Sequence, residues 1–195
     1  ELDYLIVNHM EPDHCAMIED VVRRYPNVQI VCNEKTLTMI KQFFTFDVED
    51  KAIIVKEMDT LCTGRHTFAF VMAPMVHWPE VIMTYDETEN VLFSADAFGK
   101  FGVIDEETEW INEARRYYFG IVGKYGVQVQ GVLKKASQLD INMICPLHGP
   151  ALSNNLDNYI SKYSTWSSYA PENDGIVIAY TSIYGNTRRA ALALK

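Results

Sequence analysis

The chain has 195 residues and a net charge of −9, and hydrophobic residues make up 48% of it. This composition excludes a disordered, collagen-like or coiled-coil chain. The acidic balance argues against a nucleic-acid partner, because phosphate backbones would be repelled. The longest apolar run, residues 68–76, falls well short of the roughly 20 residues that cross a bilayer, so no membrane segment is expected.

The cysteines and the first residues of the chain indicate the cellular compartment of the protein. Four cysteines occur without a C-x-x-C pair, and the first residues have neither a basic start nor an apolar core. Reduced thiols without a targeting signal are typical of a cytoplasmic protein. We therefore expect a cytoplasmic location.

Strands and helices alternate in the first part of the chain. Apolar runs at residues 2–7 and 28–32 predict buried strands, and residues 15–25 and 34–44 predict helices. This alternation favours a layered α/β domain.

The middle of the chain changes to successive strands, at residues 52–58, 66–74, 81–85 and 91–95. The polar turn at residues 86–90 predicts a hairpin between the last two of them. The elements that follow are a helix at 106–122, a helix at 127–139, a strand at 142–145 and a helix at 154–168.

A polar, proline-bearing stretch at residues 170–174 marks a domain boundary. An apolar strand at 175–180 follows, then a polar loop at 181–187 and a helix from Arg188. One strand and one helix cannot close a hydrophobic core. We therefore expect a first domain at residues 1–170 and the start of a second at 171–195, within a longer protein.

Metal-ligand residue types cluster directly after the first predicted strand. The segment N-H-M-E-P-D-H contains His9, Glu11, Asp13 and His14. Alternation in an extended chain places the first three on one side, and the fourth can join them where a helix begins. A solvated loop is the alternative interpretation of these four residues alone.

Three further residues of these types follow other predicted strands. They are His77, Asp96 and His148. Loops at strand ends converge on one site while the sheet stays rigid, so all seven side chains can meet. Seven ligands exceed a tetrahedral zinc site and suit two metals that share a carboxylate. Iron, manganese and zinc all remain possible.

These motifs resemble a known family. The chain is similar to proteins of the metallo-β-lactamase fold in four motifs, which are H-x-E-x-D-H, V-H-W-P-E, F-S-A-D and P-L-H-G-P. Most hydrolases of that fold have histidine at the position of Glu11. With T-S-I-Y-G-N-T near the end, the chain resembles the flavodiiron proteins from residue 1 to residue 195. The resemblance implies an α/β fold, a metallo-β-lactamase-like αββα sandwich followed by the first βα unit of a flavodoxin-like doubly wound domain. It also implies that the early strands of the sandwich and most of the flavodoxin-like domain lie outside this chain.

The resemblance also implies a site with two non-haem irons. His9, Glu11 and His77 would bind one iron, Asp13, His14 and His148 would bind the other, and Asp96 would bridge them. An anionic oxygen at Glu11 stabilises oxidised iron better than imidazole does, which favours redox chemistry over hydrolysis.

The loop before the last helix is a candidate flavin site. Polar residues ahead of a helix N-terminus suit a phosphate group, although a simple capped turn fits the same composition. The resemblance implies that this loop holds the FMN phosphate. Its residues are Thr181, Ser182, Ile183, Tyr184, Gly185, Asn186 and Thr187.

Three residues near these motifs are open to two interpretations. Trp78 could pack near a flavin or lie in the core. Tyr125 matches a position where some family members place a tyrosine by the irons, or it is an ordinary structural tyrosine. Cys15 stands where the family often has serine, as an inert buried thiol or one open to oxidation. The sequence assigns no further catalytic residue.

The resulting hypothesis is an oxidoreductase that reduces O2 to water, NO to N2O, or both, with electrons delivered through FMN from rubredoxin or another reduced carrier. The resemblance implies a head-to-tail homodimer or a dimer of dimers. A dizinc hydrolase of the same fold is the alternative, and a module without metal is the third possibility.

Overall fold

The computed structural model describes residues 1–102 and 110–195. It contains two β-sheets. The first is parallel, with the strand order β1 (Tyr4–Ile6), β2 (Gln29–Cys32), β3 (Ala52–Ile54). The strands of the second sheet lie side by side in chain order, as β4 (Thr60–Cys62), β5 (Thr67–Met72), β6 (Ile82–Asp86), β7 (Val91–Phe93) and β8 (Met143–Cys145). Neighbouring strands are antiparallel except β7 and β8, which are parallel.

Helices cover the outer face of each sheet. The first sheet carries α1 (Pro12–Cys15), α2 (Ile18–Arg24) and α3 (Glu34–Phe43). The second carries α4 (Trp110–Ile121), α5 (Gly126–Ala136) and α6 (Leu156–Ser167). Short 3-10 helices occupy Glu49–Lys51 and Gly123–Tyr125, and α7 spans Asn186–Ala193. None of the described helices is long and apolar enough to cross a bilayer.

Strand β2 shows why the two sheets stack. Its side chains alternate between faces: Ile30 and Cys32 pack with the helices of the first layer, whereas Val31 packs with Phe70 and Ile82 of the second sheet. A strand buried on both faces needs a layer on each side. The αββα sandwich predicted from the motifs is thereby confirmed.

Several element predictions need correction. The helix predicted at residues 15–25 is two helices, α1 and α2, because the chain turns at residues 16–17. Strand β4 was not predicted; it is a short edge strand with two of its three residues exposed, so it lacks the apolar run of a buried strand. The start of the helix predicted at 106–122 lies outside the described residues.

The predicted strand at residues 175–180 is not formed. A strand exists only where a neighbour completes its hydrogen bonds, and this segment pairs with neither sheet. Ile176 and Val177 are each 92% exposed. The helix that follows begins at Asn186, two residues earlier than predicted.

Candidate metal centre

The predicted ligand residues lie on segments that leave the strands at one edge of the sandwich. After β1 the chain runs to Glu11, and Pro12 then begins α1. Proline is favoured in the first turn of a helix because its fixed φ suits the helix and its missing N–H costs no hydrogen bond there. Asp13 and His14 are consequently held in that first turn, close to the extended residues before it.

The other three residues come from the second sheet. His77 follows β5, Asp96 follows β7 and His148 follows β8. Ala95, directly before Asp96, has a φ of +52°, in the left-handed region that non-glycine residues rarely adopt. Such strained positions cluster at functional sites, where the surrounding structure enforces them.

One group of four side chains surrounds a first position. Its members are His9, Glu11, His77 and Asp96, and one ligand atom from each lies within 4.8 Å of all the others. The Nε2 atom of His77 is 3.1 Å from Glu11 Oε2 and 3.1 Å from Asp96 Oδ2. His9 Nε2 is 3.3 Å from His77 Nε2. The atoms that could bind a cation therefore converge.

A second group lies beside it, formed by Asp13, His14 and His148. His148 Nε2 is 3.1 Å from His14 Nε2 and 3.2 Å from Asp13 Oδ2. This group is more open to solvent, because the Asp13 side chain is 50% exposed and that of His148 is 36% exposed.

Asp96 stands between the two groups. Its Oδ2 atom faces His77 of the first group, and its Oδ1 atom lies 3.0 Å from His14 Nε2 of the second. Burial raises the pKa of Asp96, but the facing histidines outweigh burial and hold that pKa well below its usual range. The carboxylate is ionised and offers one oxygen to each group.

The donor set fits bound cations. His9 Nδ1 donates to the buried Glu80 carboxylate at 2.8 Å, so Nε2 of the neutral ring carries its lone pair toward the first position. That lone pair meets the carboxylate oxygens of Glu11 and Asp96, which are also acceptors. A bound metal ion would accept these lone pairs and remove their mutual repulsion. Mixed imidazole and carboxylate ligands suit iron, manganese or zinc.

Glu80 is a site residue that the sequence analysis missed. It is fully buried, and the same Oε1 atom accepts a hydrogen bond from Met10 N–H at 2.9 Å. Burial raises its pKa, yet the hydrogen bonds from His9 and Met10 hold the pKa below its ordinary value. The quoted motif V-H-W-P-E contains this residue, but only the fold shows that it contacts His9.

A buried tyrosine, Tyr117, lies beside the site. The Tyr117 ring lies 5.4 Å from that of His148 and is 1% exposed. Burial, followed by the nearby Asp96 charge, raises the pKa of its hydroxyl, which stays protonated. Tyr125 is half-buried in a 3-10 helix, with Lys124 over its ring.

The structure defines the surroundings of Trp78 and Cys15, the other two residues that the sequence left with two interpretations. The Trp78 ring meets His9 edge-on at 5.4 Å and packs partly against the core of the second layer. Cys15 is 2% exposed and its thiol donates to the Met10 carbonyl. Burial raises the pKa of this thiol, which is the behaviour of an inert structural cysteine.

The candidate flavin loop at residues 181–187 contains no strand and leads into α7. Gly185 has a φ of +81° at the N-terminus of α7, a conformation that glycine adopts without strain. The Ser182 hydroxyl oxygen is buried and has no hydrogen-bond partner among the described residues. Ile183 and Tyr184 are about nine-tenths exposed, at 90% and 89%. A polar loop with a free hydroxyl at a helix N-terminus can accommodate a phosphate.

Comparisons with known proteins agree with this architecture. Residues 1–149 match the model of the ODP family beta lactamase. The chain is 32% identical over 201 residues to an uncharacterized protein of Methanocaldococcus jannaschii, covering 100% of this chain and 50% of that protein. It is 31% identical over 201 residues to diflavin flavoprotein A 1 of Synechocystis, covering 99% of this chain and 35% of that protein.

Solved structures show the same resemblance. The flavodiiron protein from Giardia intestinalis superimposes with a TM-score of 0.85 at 26% identity, covering 98% of this chain and 49% of that one. The rubredoxin oxygen:oxidoreductase of Desulfovibrio gigas gives a TM-score of 0.78 at 25% identity, over 85% of this chain and 44% of that one. The chain thus spans half or less of the length of each of these four proteins. From the family match, the shared fold and the sequence motifs, we conclude that this chain belongs to the ODP family of beta-lactamase-like proteins and that its fold is that of the flavodiiron proteins it resembles.

Proposed function

We propose that the seven clustered side chains hold two iron ions. His9, Glu11 and His77 would bind the first, Asp13, His14 and His148 the second, and Asp96 would bridge them. The observation that carries this proposal is the position of Asp96, with one oxygen facing each group. Bridging carboxylates are typical of two-metal sites, in which both ions act on one substrate.

We further propose that the complete protein is an oxidoreductase that reduces O2 to water, NO to N2O, or both. Two bound irons would supply redox chemistry and a place for the diatomic substrate. The residues of this chain define the surroundings of that reaction. Glu80 fixes the His9 ring, the Tyr117 hydroxyl is a protonated group beside Asp96, and the buried first group keeps water away from one side.

Electrons would arrive through FMN, which supplies a reversible carrier. We propose that residues 171–195 begin a flavodoxin-like domain and that residues 181–187 hold the FMN phosphate. The free Ser182 hydroxyl and Gly185 at the helix N-terminus support this role.

The name of the Desulfovibrio gigas structure includes rubredoxin, and we propose rubredoxin or another reduced carrier as the electron donor of this protein. We also propose that the protein is cytoplasmic and forms a head-to-tail homodimer or a dimer of dimers.

The test uses the full-length protein, purified without oxygen. We expect about two irons and about one FMN per chain, measured by elemental analysis and visible spectroscopy, and consumption of O2 or NO when reduced rubredoxin is supplied. His77→Gln should lose iron and turnover. His66→Gln is the matched control, since His66 lies at the opposite end of β5 and pairs with Asp86.

Two results would overturn the proposal. One is zinc without flavin, together with hydrolysis of esters or phosphodiesters. The other is a fully iron-loaded and flavin-loaded protein that consumes neither gas.

A further inference from the structure

The two groups of ligand residues differ in burial. In the first group the side chains of His9, Asp96 and His77 are 0%, 1% and 9% exposed, and only that of Glu11, at 35%, is partly open to solvent. In the second, those of His14, His148 and Asp13 are 11%, 36% and 50% exposed. Water and competing ligands therefore reach the second group more easily.

They differ also in what supports the histidine rings. Glu80 is fully buried and accepts hydrogen bonds from His9 Nδ1 and from Met10 N–H through a single oxygen. The side chain of Asn33 in turn donates to the Glu80 carbonyl at 2.6 Å, which fixes the backbone that carries this carboxylate. The His9 ring is consequently held in one tautomer and one orientation.

No described residue gives a histidine of the second group a corresponding support. Among residues 1–102 and 110–195, neither His14 nor His148 makes a hydrogen bond through Nδ1; their contacts are made through Nε2. A carboxylate behind a metal-binding histidine orients the ring and raises its basicity, and loss of such a partner costs metal affinity. This asymmetry favours the first group.

We propose that the two metal positions are unequal: the first group holds its iron tightly because Glu80 supports His9, and the second group releases its iron first. This inference rests on the proposed function only in requiring two bound irons. Glu80 is then a positioning residue, and the iron at the second position is the one that exchanges with solution.

Release of iron tests the order directly. Full-length protein loaded with ferrous iron is mixed without oxygen with an excess of a chromogenic ferrous chelator, and absorbance follows the release. We expect a fast phase and a slow phase of one iron each. His148→Ala should remove the fast phase, and His77→Ala should remove the slow one.

Glu80→Gln then tests the positioning role. The amide oxygen of glutamine can still accept from Met10 and His9, but it lacks the negative charge. We expect the slow phase to accelerate by about 10–100-fold while the fast phase keeps its rate. A role limited to structural support would change both phases or the unfolding temperature. Glu57→Gln is the matched control, because Glu57 is 40% exposed and pairs with Lys135.

The outcomes separate this inference from the proposed function. A single phase that releases both irons overturns the inference while the diiron proposal stands. Equal acceleration of both phases in Glu80→Gln overturns the positioning role. Protein that binds no iron overturns the diiron proposal and with it the inference. The wild-type and His148→Ala measurements decide the order of release even if the Glu80 variant does not fold.

Discussion

Tyr117 illustrates how much one buried hydroxyl can matter at the residue scale. The side chain is 1% exposed, and its hydroxyl makes no hydrogen bond to a described residue. Its raised pKa keeps the proton on the oxygen beside Asp96. A protonated donor next to a site where charge changes stabilises the charged form of its neighbour.

Tyr117→Phe should therefore leave the fold intact and reduce turnover. We expect the hydroxyl to form its hydrogen bond only when charge develops beside it during turnover. A hydrogen bond to a charged group contributes about 1.5–3 kcal/mol, which corresponds to a loss of roughly 10–100-fold in rate. Steady-state consumption of O2 or NO by the iron-loaded protein checks this. Tyr118→Phe is the control, since Tyr118 is equally buried but interacts with Ser167. Equal losses in both variants would contradict the assignment.

Glu11 is one of the two carboxylates that face the proposed first metal position. Its Oε2 atom is 3.1 Å from His77 Nε2. Glu11→His replaces an anion with a neutral ligand, so the oxidised metal loses stabilisation. We expect the midpoint potential to rise by about 60 mV or more, which is a tenfold change for a one-electron couple. A redox titration of the iron-loaded protein measures this, and an unchanged or lower potential would refute it.

At the scale of elements, the segment after α6 is tied to two helices by one carboxylate. Glu172 accepts hydrogen bonds from Arg115 of α4, at 2.6 Å and 3.2 Å, and from Lys162 of α6 at 3.1 Å. The hydrogen bonds from Arg115 contribute most to lowering the pKa of Glu172 to about 2 from an ordinary value of 4.5. This contact anchors the domain boundary predicted at residues 170–174.

Glu172→Gln should destabilise the protein by about 1 kcal/mol, because both basic partners are partly exposed and solvent screens the pair. The carboxylate contributes fully above pH 4.5, where it is ionised in both folded and unfolded chains. The contribution is lost as the pH falls from 4.5 toward 2. Urea unfolding of wild type and variant across this range checks the effect. A difference in stability that stays constant with pH would count against it.

For the whole molecule, the layer between the two sheets decides whether the site exists. The first sheet carries residues 9–14 and the second carries His77, Asp96 and His148. Phe70 is fully buried in that layer and packs with Val31 and Ile82. Movement of one sheet against the other would separate the two sets of ligands.

Phe70→Ala should cost about 3–5 kcal/mol, because a large buried side chain leaves a cavity that closes only in part. Denaturant unfolding of the iron-free protein measures this cost without any contribution from metal. Phe43→Ala is the matched control at a 46% exposed position of α3, where the change should stay within roughly 0.5 kcal/mol. A similar loss of unfolding free energy in both variants would show that packing between the two sheets contributes no more to stability than an exposed position does.

The sequence by itself pointed to the seven candidate ligand residues and determined a layered α/β domain and the β6–β7 hairpin, because these depend on local patterns. The αββα arrangement came from the family resemblance. Residue types placed after apolar runs predict a site at strand ends, and the polar turn at 86–90 joins strands that do pair. The metal-binding roles and the flavin loop stay predictions.

Only the tertiary structure decided which residues support that site. Glu80 and His9 are 71 positions apart in the chain, and no local pattern relates them. Tyr117 lies beside the site because of how α4 packs on the second sheet, and residues 175–180 form no strand because neither described sheet pairs with them. Contacts between distant segments, and the hydrogen bonds that a strand takes from its neighbour, arise only when the whole chain is folded.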